Sequence, residues 1–112
     1  PNAVDLHRIR REFEMDDEEI RTIVADEKFK KFFGELKGEE LKTAPKGFDK
    51  THPAIDLIRK KQYLLTRSFS DKEVLASNFQ EEVLATFQAM RPFFDYMSEV
   101  LSTDLNGESL YN

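Results

Sequence analysis

The chain has 112 residues, ten Phe, no Cys or Trp, 35% charged residues and a formal net charge of −5. That length fits one domain with a single core and little surplus stability. The absence of Cys excludes disulfides and thiolate metal sites, and no apolar run approaches the ~20 residues of a membrane span. No charged start leads into an apolar stretch, as a signal peptide would require, and a cytoplasmic setting fits both observations.

Asn2 is placed to cap a first helix with Asp5 at its third position, and Val4, Leu6, Ile9 and Phe13 follow near one face. The acidic run Asp16 to Glu19 suits the N-terminus of a second helix carrying Ile20, Ile23 and Val24. Asp26 starts a short third helix that turns Phe29, Phe32 and Phe33 inward and stops at Gly34. Beyond it, residues 40–43 read as a short strand, and Pro45-Lys46-Gly47 is turn chemistry. Pro53 suits the first turn of a helix capped by Thr51 or His52, which buries Ile55, Leu57 and Ile58 and ends near Lys60 and Lys61. Residues 62–69 are rich in β-formers and read as the best strand in the chain.

Ser70-x-x-Glu73 is a capping box for a short helix, and Ser77-x-x-Gln80 is a second box for the longest one. There Phe79, Val83, Phe87, Met90, Phe94, Met97 and Leu101 recur at steps of three or four, one apolar face of a helix near 78–102 that Pro92 should kink. The polar stretch 104–112 reads as an irregular tail. The fold expected is α+β, predominantly helical, with a small antiparallel sheet from the strands near 40–43 and 62–69. Two strands alone are marginal in water. The chain is therefore read either as a single domain over 1–112 or as the C-terminal half of a larger one. A missing N-terminal half or a second copy would complete the sheet.

Two stretches, LKTAPKGFDKTHPAIDLIRKK at 41–61 and QAMRPFFDYM at 88–97, make the chain resemble the C-terminal half of a mostly bacterial family of conserved hypothetical proteins, domain-of-unknown-function family 2461. The family's defining signature, RxxRDxRF followed by a DK pair and a Tyr, belongs to its N-terminal half and does not occur in these 112 residues. The resemblance implies that residues most suggestive of a site lie elsewhere, and it brings no established activity.

Charge is the feature most informative about function. Residues 42–67 hold seven basic and two acidic side chains, net +5, between flanks of net −4 (1–41) and −6 (68–112). Lys46, Lys50 and Arg67 are the candidate charges for an anionic ligand such as a phosphate or carboxylate. His52 would orient it, and the helix opening at Pro53 would lend amide groups. The bland alternative makes the lysines a solvated face and His52 a cap. Another reading is a docking face for an acidic protein surface, and another an enzyme whose catalytic residues lie in the absent half. Negative net charge and few interleaved aromatics disfavour nucleic acid. His7 and His52 stand apart with no ligand-spaced partners, so no metal is expected, and no nucleotide or nucleophile motif calls for a cofactor.

Overall fold

A computed structural model describes residues 2–103; the expected irregular tail at 104–112 lies outside the described residues. Six helices follow in order: α1 (Ala3–Met15), α2 (Glu18–Ala25), α3 (Glu27–Phe33), α4 (Ile55–Ile58), α5 (Asp71–Leu75) and α6 (Phe79–Ser102). The local signals set their ends. The Asn2 side chain accepts from the Asp5 N–H at 2.8 Å, and Asp26 accepts from Lys28 and Phe29. Gly34 closes α3 at φ 72°, a conformation a side chain would strain. Ser70 and Glu73 form the complete reciprocal box at α5. The second box does not form: α6 starts after Asn78 with no side-chain cap.

The expected antiparallel sheet is absent, and the chain among its described residues is helical, without strands. Two isolated antiparallel bridges, Lys37 with Leu64 and Glu40 with Lys60, are all that 37–41 and 59–64 make. Lys37 and Leu64 exchange both backbone bonds, at 2.9 and 2.8 Å, while Lys61 donates to Glu39 and Leu41 to Arg59. Three steps from 37 to 40 face four steps from 60 to 64, so one extra residue bulges the second segment and breaks the ladder. Gly38 sits against the bulge at φ 143°, where a Cβ would lie 2.0 Å from the Gln62 carbonyl oxygen. The Gln62 side chain fills the gap by accepting from the Glu39 N–H. A β-rich composition over 62–69 therefore meets a glycine hinge rather than a partner strand.

α6 is the spine: α1, α2, α3 and α5 all pack on it, and α4 packs on α1. It runs unbroken through Pro92 for 24 residues, about 36 Å at ~1.5 Å per residue. Its buried face overlaps the expected stripe without coinciding with it: Met97 is buried and Met90 and Leu101 pack against the core. Phe93, Tyr96, Met97 and Val100 are buried, whereas Phe87 and Phe94 are 61% and 52% exposed. The stripe has the right period, and the face that meets the core is shifted by part of a turn, which leaves Phe87 and Phe94 outside it. The core gathers Ile9 and Phe13 of α1, Ile20 of α2, Phe29 and Phe33 of α3, and Leu57 and Ile58 of α4 against that face.

Phe13 is fully buried, stacked on Tyr96 at 6.3 Å and edge-on to Tyr63 at 5.4 Å. Truncation by Phe13→Ala should cost about 3–5 kcal/mol, read as a lower urea midpoint. On the surface, Arg21 of α2 forks onto both carboxylate oxygens of Asp56 of α4 at 2.7 Å. This guanidinium holds the Asp56 carboxyl below its ordinary value. A depressed carboxylate stabilises the fold above the unfolded value of ~3.9 and loses that contribution as pH falls through the folded value. Asp56 is largely exposed, so solvent screening keeps the effect of Asp56→Asn below about 1 kcal/mol. The difference between wild type and Asp56→Asn in urea unfolding should be present at neutral pH and vanish in strong acid.

Candidate functional site

The basic segment opens as a loop over residues 42–54 that leads into α4, and the four expected residues fare differently. Lys46 and Lys50 are exposed on that loop. His52 uses both ring nitrogens on the backbone. Its Nδ1 accepts from the Ala54 N–H at 3.0 Å, and its Nε2 lies 3.1 Å from the Glu14 carbonyl oxygen. An N–H only donates and a carbonyl only accepts, so the ring is the Nε2–H tautomer, donating to Glu14. His52 thus ties the end of α1 to the turn that starts α4, the capping role weighed against ligand orientation.

The helix expected from Pro53 begins only at Ile55 and lasts four residues. The amides before it are bonded within the turn: His52 donates to Asp49, Ile55 to His52, and Ala54 to the imidazole. They leave no amide cradle for an anion. Asp49 organises the same turn, accepting from the Thr51 amide and hydroxyl at 2.8 Å, and these bonds hold its carboxyl below the ordinary value.

Arg67 lies apart. Its guanidinium stacks on Phe32 at 4.0 Å and on Phe69 at 4.6 Å. It donates to the Glu82 carboxylate at 2.8 Å and to the Thr86 hydroxyl at 2.6 Å. The hollow beside it mixes Lys31 and Arg67 with Glu73 and Glu82. This arginine fastens the extended segment after the bulge onto α3 and α6; its charge is answered within the fold.

What the loop does assemble is a hollow of about 210 Å³ lined by Lys42, Thr43, Ala44, Lys50, Ile55 and Arg59. Three basic residues line it, and no acid among the described residues does. Of the four expected residues only Lys50 takes part; Lys42 and Arg59 belong to the +5 segment but stood out by no motif. Arg59 supports the rim. Its Nε and Nη2 donate to the Leu41 carbonyl at 2.9 and 2.7 Å, and Nη2 also reaches the Lys42 carbonyl at 3.3 Å. Part of the remaining island is neutralised nearby: Lys60 approaches Glu40 at 3.6 Å and Lys61 approaches Glu39 at 3.9 Å. Among the described residues, no group of three or more His, Asp or Glu could hold a metal ion, and no helix is long and apolar enough to cross a membrane.

The chain belongs to the family of conserved hypothetical proteins DUF2461, whose model matches residues 1–96. No curated protein and no solved structure matches it. His52→Ala would strand the N–H of Ala54, which is fully buried, and should destabilise the protein by about 1–3 kcal/mol in urea unfolding. His52→Asn, whose short side chain can accept from the amide two residues on, should recover part of that loss.

Proposed function

We propose that this member of the DUF2461 family binds a small anionic group, of the phosphate or carboxylate class, in the hollow between Lys42, Lys50 and Arg59. One observation carries the reading: three basic residues line one concave surface that no acid among the described residues lines. Lysine ammonium groups supply compact charge, the Thr43 hydroxyl is a neutral donor, and Ala44 and Ile55 form an apolar wall that lowers the local dielectric. Lys46 is exposed on the same loop and does not line the hollow. Concavity favours a ligand over the alternative of a docking face for an acidic protein, which needs a flat surface. His52 and Arg67 serve this reading indirectly, by holding the two ends of the segment in place.

Titration calorimetry with inorganic phosphate and pyrophosphate tests it. Pyrophosphate should bind more tightly than phosphate, and affinity should fall with added salt. Lys42→Ala/Lys50→Ala should weaken binding about tenfold with the helical circular dichroism unchanged. Affinity untouched by the double substitution would sink the proposal.

A further inference from the structure

Beside the face that meets the core, α6 carries a second apolar line that stands open. Leu84, Phe87, Arg91 and Phe94 follow at steps of three and four, so they lie one above another on the helix. Leu84, Phe87 and Phe94 are 59%, 61% and 52% exposed, and the Arg91 side chain is 80% exposed. On the side that leads down to the core, the line is bordered by Val83 and Met90, both part-buried. On the other side stand Glu81, Gln88 and Asp95, each two turns from the next and all exposed, and Glu99 extends that row by one turn. Arg91 alone breaks the sign, and its Nε stands 3.9 Å from the Asp95 carboxylate. The charge agrees over the wider segment, since residues 68–112 hold two basic and eight acidic side chains, net −6. Exposed aromatic rings in a row, rimmed by charge of one sign, are the anatomy of a contact surface.

We propose that this face of α6 seats an amphipathic helix with a basic flank, supplied by a different polypeptide. The period of the open line selects a helix, because side chains at steps of three and four interlock with others at the same steps. The rim selects its charge. Apolar side chains of the incoming helix cover Leu84, Phe87, Phe94 and the aliphatic stem of Arg91, while its lysines or arginines stand along Glu81, Asp95 and Glu99. A second copy of this chain is disfavoured by the same rim. An isologous pair of antiparallel α6 helices lays the acidic row of one copy along the acidic row of the other, like against like. Phe87 and Phe94 are the anchors, since they offer the largest apolar area on the line. The face shares no residue with the anion hollow and stands independently of it.

Fluorescence anisotropy with the whole chain tests the seat, using two labelled model helices that share one leucine face. One is flanked by lysines and the other by glutamates. The lysine-flanked helix should bind at least about tenfold more tightly than its glutamate-flanked counterpart. Phe87→Ala/Phe94→Ala should weaken that binding about tenfold with the helical circular dichroism unchanged. Glu81→Lys/Asp95→Lys should turn the preference toward the glutamate-flanked helix. A lysine-flanked helix that does not bind overturns the proposal, and so does a preference that the charge reversal leaves unmoved. Binding that survives loss of both Phe rings is charge attraction without a seat and overturns it too. A chain that dimerises alone in sedimentation equilibrium, and becomes monomeric with Phe87→Ala/Phe94→Ala, overturns it by giving the face to a second copy.

Discussion

The Phe13 ring is the contact on which the other parts of the molecule depend. It closes α1 against Tyr96 of the long helix on one side and against Tyr63 on the other. Tyr63 in turn donates its hydroxyl to the Leu57 carbonyl at 2.9 Å, so one aromatic column links α1, α4, α6 and the bulged segment. Burial raises both tyrosine hydroxyls above their ordinary value, which keeps them neutral across the physiological range. A segment with seven basic side chains is thereby fixed to the core at residues that carry no charge themselves.

Electrostatics then sorts those cations by what the fold leaves beside them. Asp56 is committed to Arg21, Glu40 and Glu39 stand near Lys60 and Lys61, and Glu82 answers Arg67. The last three pairings answer cations of the +5 segment, whereas Arg21 occupies one of the segment's two acids. Lys42, Lys50 and Arg59 remain together around one hollow because α4, only four residues long, turns the chain back sharply enough to bring Arg59 under Leu41. An excess visible as a number along the chain becomes a local field only through that short turn.

Sequence reading succeeded where a few neighbouring residues decide the outcome. Asn2 with Asp5, Ser70 with Glu73, and Gly34 with Lys30 are contacts spanning at most four positions, and each caps its helix as expected. It failed where distant residues decide. Period alone could not say which side of α6 meets the core, and the packing of α1, α2 and α3 selected Phe93 and Tyr96 over Phe87 and Phe94. The strand propensity of 62–69 was real, since the segment is extended, but Gly38 and the one-residue bulge deny it a ladder. For the hollow, Lys50 was legible from its loop, while Lys42 and Arg59 needed the turn that brings residues 17 positions apart into contact.

Arg59 shows what kind of recognition such a hollow permits. A guanidinium usually selects a carboxylate or phosphate by presenting two parallel N–H groups to two oxygens. Here the Nε–Nη2 edge is already occupied by the Leu41 carbonyl. The fork that reads planar geometry is turned inward to hold the chain, and lysines, which act as point charges, line the rest of the opening. Such a surface discriminates by valence rather than by outline: it ranks anions by how much charge they carry and is tolerant of what that charge is attached to.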